Sequence, residues 1–365
     1  MSALGGKRTL VKAATWANLR PDRLELGWAM RWILIGLAMA AIDGPTLAAA
    51  PPDSEVCYSA TATDDEKIAG CTSLIAGANI GSEKRGLAFI NRSEAELTKG
   101  LLDQAVSDAT QAISLIPNSP QAYESRGAAY FRKSRFGPPI SGAATGGVHL
   151  VPIRPPSHRP EYDQAIADFS QAISLDPDRA NFFVERGNTY SAEGEYDKAI
   201  TDLTRALAID PTSIEALEGR ADDNRHRGLY DRAIADDTTV IALKQANLFL
   251  SLRAYETRAS DYMHNGYYQG AITDYSHVIA RQPGFVGPYL ERARAYHLAG
   301  KDALALPDAQ HSVAINPTMS LVIRGEIYEG LGQRDLAIAD YRASIKLGAY
   351  QEVATEGLRR LGVSQ

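Results

Sequence analysis

Four residue types recur together seven times along this chain at fixed offsets: an Arg, a turn residue, an Ala and an Asp. The turn residue stands eight places after the Arg and is Gly in six repeats and Ser134 in the second. The Ala and Asp follow it, once one insertion in the second repeat is allowed for. A fixed period of this length predicts an array of identical units, each touching mainly its neighbours. The arginines are Arg92, Arg126, Arg186, Arg220, Arg258, Arg292 and Arg324, and the aspartates are Asp108, Asp168, Asp202, Asp236, Asp274, Asp308 and Asp340.

One unit is clearest between Asn181 and Pro211. Phe183, Gly187 and Tyr190 recur at helical spacing, so they predict one face of a first helix. A glycine stands where that helix should end, and a second amphipathic helix follows until Pro211, which cannot continue it. Two short helices with one apolar face each cannot bury those faces alone, so neighbouring units must stack.

The unit resembles the tetratricopeptide repeat family, whose 34-residue pattern sets large, small and aromatic residues at defined places. Those places are filled by Phe183, Gly187, Tyr190, Ala199, Leu203, Ala206 and Pro211. The resemblance covers residues 81–350 and implies a right-handed α-solenoid of about seven helix–turn–helix repeats. Capping helices are expected at both ends, within 51–80 and within 351–365, where a short tail follows.

Three irregularities interrupt the array. Proline spacing indicates a 26-residue insertion over 135–160, rich in Pro and Gly, which we expect to be disordered. It contains no Asp or Glu, so a docking segment is the alternative to a tolerated surface insertion. Four extra residues follow the fourth repeat, the weakest in pattern, and predict a kink there. Pro307 lies inside a second helix and should bend or shorten it.

The first fifty residues read as a leader. An apolar run at 32–41 follows Arg31, and Ala48–Ala50 provide a small-residue site, which predicts a signal peptide with its core at 30–50 and cleavage after Ala50. The run is shorter than the roughly 20 residues that span a bilayer, so we expect no stable membrane span in the mature chain. A buried helix or an uncleaved anchor is the alternative, and Met30 is an alternative start. The expected location is the periplasm or the medium.

The two cysteines, Cys57 and Cys71, both precede the repeats. An even count in an exported protein favours a disulfide, here joining the N-terminal segment to a cap helix at 65–76. This stretch also resembles the front end of exported tetratricopeptide proteins of alphaproteobacteria. Two free thiols in a cytosolic protein are the alternative.

Charge and motifs exclude several functions. The leader carries six basic and three acidic residues and the whole chain has net charge −6, so the mature part carries −9. An acidic product disfavours nucleic-acid binding. No phosphate loop, metalloprotease helix or nucleophile elbow occurs, which predicts a protein without catalytic activity or cofactor. No metal site is expected, because the cysteines lack two further ligands and His226 and His264 fall on separate helices.

The Arg and Asp columns lie at equal distances on either side of the hairpin turn. In an antiparallel helix pair they stand level, so we predict a half-buried ladder of Arg–Asp pairs with a structural role. A row of anion-binding arginines is the alternative.

In the tetratricopeptide family, the first helices line an inner groove through places 2, 5, 9, 12 and 13. The resemblance therefore implies a protein-binding scaffold with a polar, charged groove, and the chaperone-binding clamp of some members is not matched beyond Asn91. Alternatives are a structural spacer or assembly subunit of an envelope complex that uses its outer face, and a cytosolic regulatory adaptor. Neither the partner protein or peptide, the pathway nor the oligomeric state follows from the sequence. The candidate partner-binding residues are Gln121, Glu124, Arg132, Asn181, Asn188, Glu215, Glu218, Asp222, Arg225, Arg253, Glu256 and Arg294.

Overall fold

A computed structural model describes residues 53–136, 159–243 and 248–363, and every regular element within them is an α-helix. In chain order these helices are α1 (Asp53–Cys57), α2 (Asp64–Ala76), α3 (Ser82–Thr98), α4 (Leu102–Leu115), α5 (Pro120–Phe136), α6 (Pro160–Leu175), α7 (Ala180–Glu193), α8 (Tyr196–Ile209), α9 (Ile214–His226), α10 (Tyr230–Leu243), α11 (Leu248–His264), α12 (Tyr268–Arg281), α13 (Val286–Leu298), α14 (Asp302–Ile315), α15 (Pro317–Gly330), α16 (Arg334–Lys346) and α17 (Gln351–Arg360).

Helices α3 to α16 form seven consecutive hairpins, one for each predicted repeat, and each helix packs on the next. The turn of the third hairpin shows why the glycine is needed. Gly194 has φ +85°, a left-handed conformation that strains any residue with a Cβ atom. The second repeat has Ser134 at this place instead, and α5 continues through it to Phe136. A turn residue at Ser134 was therefore a wrong expectation, because nothing there favours the left-handed turn.

Small residues bring the two helices of a hairpin close together. In the third repeat Ala199 and Ala206 are fully buried. A Cβ atom added to Gly187 would lie 3.0 Å from the Leu203 side chain, so this place accepts little more than hydrogen. Phe183 and Leu203 fill the space between neighbouring hairpins, in a cluster that continues into the fourth and fifth repeats. The core is thus continuous along these repeats, as stacked units require.

The first helices of neighbouring repeats pack directly on one another. Contacts of this kind join α3 to α5, α5 to α7 and α7 to α9. They also join α13 to α15, and α15 to the C-terminal helix α17. Within the described residues, the second helices of neighbouring repeats do not pack on each other to that extent. A stack in which one set of helices approaches more closely has that set on its inner face. The first helices therefore line the inner face.

The N-terminal cap is a disulfide-linked helix pair. Cys57 at the end of α1 and Cys71 in α2 form the predicted disulfide, and both are fully buried beside Ala88 of α3. Helix α2 begins at Asp64 with a capping box, in which Thr63 accepts from the Glu66 amide while the Glu66 carboxylate accepts from the Thr63 amide. The helix predicted at 65–76 is confirmed within one residue.

The C-terminal cap is α17, which was expected at about 351–361. Ala354 and Leu358 are buried on it, and both belong to the core cluster of Tyr341 in α16. The rest of α17 is largely exposed. Such a helix closes the apolar end of the array and presents a polar outer surface.

The two ends of the insertion predicted at 135–160 belong to helices. Arg135 still lies on α5, and Pro160 is the first residue of α6, where a proline without an amide hydrogen is favoured. Residues 137–158 lie outside the described residues. So do the leader with its predicted signal peptide and cleavage after Ala50, and residues 244–247, at which we predicted a kink.

Pro307 does not shorten its helix. Helix α14 has the same 14 residues as α8, and Ala305, Asp308 and Ala309 around the proline are buried. Packing on both sides therefore holds the helical conformation despite the missing amide. None of the helices in the described part of the chain combines the length and apolar character that crossing a membrane requires.

Candidate protein-binding groove

The structure brings the predicted Arg and Asp of each repeat together. In all seven repeats the Arg Nε and Nη2 atoms donate to the two carboxylate oxygens of the Asp, at 2.5–3.0 Å. The Asp side chains are 3–10% exposed and the Arg side chains 14–23%. Bidentate pairs of this kind are strong, directional and charge-assisted. The hydrogen bond to Asp202 raises the pKa of Arg186, and the same cause acts in most of the other pairs.

The remaining Nη1 atom links neighbouring repeats. Arg186 Nη1 donates to Ser170 Oγ of the preceding second helix at 2.9 Å, and Arg292 Nη1 donates to Ser276 Oγ at the same distance. Arg92 reaches Thr72 of the N-terminal cap in the same way. The guanidinium groups thus form hydrogen bonds within and between repeats. Few of their N–H donors remain to bind an anion.

The candidate residues of repeats two to four lie beside one another on the inner face. Asn181 Nδ2 donates to Glu124 Oε1 at 2.6 Å, from α7 to α5. Asn188 Nδ2 donates to Glu215 Oε1 at 3.0 Å, from α7 to α9. Each pair joins the first helices of consecutive repeats by an amide and a carboxylate. The groove therefore has a preformed line of acceptor oxygens.

The other two candidates in repeat two, Gln121 and Arg132, form separate contacts. The Ser119 hydroxyl donates to Gln121 Oε1 at 3.2 Å. Arg132 is exposed, and its Nη1 donates to the Leu97 carbonyl at the end of α3 at 3.0 Å. Gln121 therefore bonds within its own repeat, whereas Arg132 bonds across to α3 and its charge acts on Glu185 of α7.

A further carboxylate, that of Glu185, lies at the centre of this line. Burial raises the pKa of Glu185 on α7 to about 7, and the charges of Glu215 and Glu124 raise it further, while Arg132 acts in the opposite direction. Burial also raises the pKa of Glu124 and of Glu94 on α3, where the Glu124 charge adds to the effect. Helices α3, α5 and α7 thus carry carboxylates that are partly removed from water, and the exposed Glu215 of α9 adds its charge to theirs. Glu185 stands at the place that Asn91 fills in the first repeat, which only the family's chaperone-binding clamp marks, so the run of acidic residues on successive first helices was the remaining signal for it.

Arg225 on α9 is largely occupied by the protein itself. It donates to Asp222, to Asp237 of α10 and to Asp261 of α11, and the last two carboxylates are nearly inaccessible to solvent. Burial raises the pKa of Asp261 to about 6 even though Arg225 opposes the shift. A single cation among three carboxylates joins repeats four and five. Arg225 is therefore better suited to hold these helices together than to contact a ligand.

The other candidates extend the groove with weaker contacts. Arg253 is 72% exposed and lies 3.8 Å from Asp222, and Glu218 lines a small recess with them. Glu256 on α11 is half-buried, which raises its pKa. Arg294 on α13 is exposed, and its charge opposes the rise that burial causes in the pKa of Glu326. Within the described residues, no hydrogen bond ties Glu256 or Arg294 to the residues of repeats two to four.

Two histidines that we considered as metal ligands stack on tyrosines instead. The His226 ring lies 4.5 Å from the Tyr196 ring at an interplanar angle of 7°, and His264 stacks on Tyr230 in the same manner one repeat later. Among the described residues, no three His, Cys, Asp or Glu side chains are grouped as metal ligands would be.

Comparison with known proteins agrees with this architecture. Models described as tetratricopeptide repeat match residues 180–213 and 320–347, and a model described as TPR repeat matches residues 160–194. No curated protein matches the chain.

Several solved structures are similar in fold. The C-terminal part of a TPR repeat-containing protein from Cytophaga hutchinsonii has 18% identity and a TM-score of 0.55, over 74% of this chain and 99% of that one. A tetratricopeptide repeat protein from Parabacteroides merdae has 22% identity and a TM-score of 0.45, over 76% of this chain and 98% of that one. A thermophilic TPR protein of Thermus thermophilus has 19% identity and a TM-score of 0.43, over 53% and 90%. Similarity at these identities shows the fold and not the partner.

Proposed function

We propose that this chain, a tetratricopeptide repeat protein, is a non-catalytic scaffold that binds an extended segment of another protein along the first helices of repeats one to four. The observation that carries the proposal is the line of mutually repelling, partly desolvated carboxylates centred on Glu185. Such a line is unfavourable in the free protein above neutral pH. A ligand of opposite charge removes this repulsion, and the removal contributes favourably to the free energy of binding.

The chemistry of the line selects a segment with basic side chains. Lys and Arg both donate to carboxylates, and Arg does so in bidentate fashion. Helices α3, α5, α7 and α9 are separated by three steps of about 9–10 Å, so the line is about 30 Å long. An extended chain advances about 3.3 Å per residue, so about nine residues would cover it.

The bound segment should be held by several modest contacts. Asn181 and Asn188 already bridge adjacent helices, so the groove is largely preformed and little ordering is needed on this side. The contacts are charged and only partly shielded from solvent, so salt should weaken them and slow association.

We propose the cell envelope as the place of action. The leader pattern supports export, and the buried Cys57–Cys71 disulfide supports an oxidising compartment, because such bonds are rare in the cytosol.

Co-purification from the periplasmic fraction of the producing cell tests both parts of the proposal. The groove variant combines Glu124→Gln, Glu185→Gln and Glu215→Gln. The control variant also removes three carboxylates, at exposed positions in other helices: Glu55→Gln, Asp335→Asn and Glu352→Gln. An exposed ion pair is worth about 0.2–1 kcal/mol, so losing three should weaken binding about tenfold in the groove variant.

The wild type and the control variant should retain the same partner, and the groove variant should release it at lower salt. Equal retention by the wild type and both variants would move the binding site to another face. Absence of the protein from the periplasmic fraction would reject the envelope location and leave the groove to be tested with cytosolic extract.

A further inference from the structure

Repeats four and five have three buried aspartates at places where the rest of the array has uncharged residues. Asp223 of α9 and Asp261 of α11 lie three residues after their ladder arginines, and Asp237 of α10 lies one residue after its ladder aspartate. All three are at most 2% exposed. The other repeats bury Ala95, Ala129, Thr189, Ala295 and Ile327 at the first of these places, and Ala109, Phe169, Leu203, Tyr275, Ala309 and Tyr341 at the second.

Two of these aspartates lie at the two boundaries of repeat four. Asp223 Oδ1 accepts from Ser191 Oγ of α7 at 2.6 Å, between repeats three and four. Both oxygens of Asp261 accept from Arg225 Nε of α9, at 2.9 and 3.0 Å, between repeats four and five. Repeat four is therefore joined to each neighbour through a buried carboxylate.

The buried charges of this region do not balance. Asp237 and Asp261 share the guanidinium of Arg225, which also donates to the half-exposed Asp222. Asp223 forms no ion pair with Lys or Arg among the described residues, and its Oδ2 accepts no hydrogen bond there. A buried carboxylate without a cation is unfavourable, so such a group tends to bind a proton.

The surroundings of Asp223 favour its protonated form. Burial raises its pKa to about 6, and the Asp222 charge adds to the rise, whereas the Ser191 hydroxyl and the His226 ring oppose it. Arg253 of α11 is the next cation, but it is 72% exposed and lies beside Asp222 at 3.8 Å.

The surroundings of Asp261 act in the same direction. Burial raises its pKa to about 6 against the opposing charges of Arg225 and His264, and the Asp237 charge adds to the rise. Burial raises the pKa of Asp237 as well, although Arg225 and Thr257 oppose it. The ordinary value is 3.8, so the folded state binds more protons than the unfolded state between about pH 4 and 6. The stability that this region gains from protonation is present in acid and is lost as the pH rises to 7.

We propose that repeat four is a pH-operated hinge, packed on both neighbours in mildly acidic medium and loosened at both boundaries as the medium becomes neutral. Charged Asp223 then has no cation on the side of repeat three, and Arg225 faces two charged carboxylates on the side of repeat five. Helix α9 also carries Glu215, the last carboxylate of the groove line. The hinge therefore divides the repeats that carry this line from repeats five to seven. The inference does not depend on what the groove binds.

Hydrogen exchange of the full chain tests the hinge. Exchange is measured at pH 5 and pH 7.5 and corrected for its intrinsic pH dependence. Protection in α9 to α11 should fall between these values by about tenfold for each group that titrates near pH 6. Helices α13 and α14, which carry the balanced pair Arg292–Asp308, supply the internal reference.

Two variants assign the effect to the buried aspartates. Asp223→Ala introduces the residue that three other repeats have at this place, and it should remove the part of the fall that arises at the boundary with repeat three. The double variant Asp223→Ala, Asp261→Ala leaves Arg225 with Asp237 as its buried partner, so α9 to α11 should be equally protected at both pH values. Asp340→Asn breaks a ladder pair in the seventh repeat, and this control should keep the full pH dependence of α9 to α11.

The proposal is overturned if protection in α9 to α11 of the wild type changes no more than in α13 and α14. It is also overturned if the double variant keeps the pH dependence of the wild type. An equal fall in every helix would reject a local hinge in favour of unfolding of the whole array. If the double variant does not fold, the carboxyl NMR signals of Asp223 and Asp261 in the wild type decide, because titration of both below pH 4 would exclude the mechanism.

Discussion

At the scale of single residues, the Arg–Asp pairs make each repeat sensitive to the loss of one charge. Arg186→Ala would leave Asp202 nearly buried without its cation, and Ser170 would lose its donor. Breaking a buried pair from one side costs about 3 kcal/mol. Urea unfolding should show that loss, and an unchanged midpoint would contradict a structural role for the ladder.

The double variant Arg186→Ala, Asp202→Ala is the control for this prediction. It removes both charges, so no carboxylate is left unpaired. Its stability should fall by less than the sum of the two single changes, because residues in one ion pair are not additive.

Glu185 predicts a pH dependence of stability. Its pKa is about 7 in the folded protein and near the ordinary 4.5 in the unfolded chain. The folded state therefore binds more protons between these values, and stability should fall as the pH rises from about 5 to about 8. Glu185→Gln should remove this component of the pH dependence. The free energy of unfolding of the variant should therefore exceed that of the wild type at pH 8 but not at pH 4. Parallel unfolding curves at both pH values would show that Glu185 is more solvated than the structure indicates.

At the scale of helices, the disulfide fixes the cap on the first repeat. It closes a loop of 14 residues between α1 and α2, and a bridge of that span stabilises by about 3 kcal/mol. Reduction should therefore increase hydrogen exchange in α2 and α3, with little change beyond repeat two, because each unit touches mainly its neighbours. The variant Cys57→Ser, Cys71→Ser should show that faster exchange with or without reductant. Full protection of α3 after reduction would mean that the bridge is not needed for capping.

The helices also show which features the sequence could predict. The helix end at Gly194 could be predicted because a left-handed turn needs glycine. The Arg–Asp pairing could be predicted because residues equally far from that turn lie level in the same hairpin. Ser134 was misread because the periodic pattern, rather than its chemistry, suggested a turn. The shortening expected at Pro307 does not occur, because packing around the proline outweighs its local cost.

The parts of the site that could not be predicted depend on several repeats at once. The raised pKa of Glu185 is a sum over burial and the charges of Glu124, Glu215 and Arg132, which lie on three different helices. Likewise Asp261 meets Arg225 across 36 residues of sequence. No local pattern contains these distances.

At the scale of the whole molecule, position in the array should decide how far a local change spreads. Arg324→Ala and Arg220→Ala break the same kind of pair, in the last and in the fourth repeat. In a linear array the end unit can unfold alone, whereas loss of a central unit separates the two sides. Hydrogen exchange should therefore increase only in α15 to α17 for the first variant and on both sides of α9 for the second. Equal spreading from both would indicate that the array unfolds as one cooperative unit.

The second hairpin has a practical consequence for protein engineering. Arg126 and Asp168 pair at 2.7 Å although 42 residues separate them, where 16 suffice in the other repeats. The chain between Phe136 and Arg159 thus already contains extra residues, and the two helices that flank it still pack as a pair. An epitope, a fluorophore tag or a small folded domain grafted at this junction would be displayed at the end of one hairpin, with the scaffold on either side unchanged.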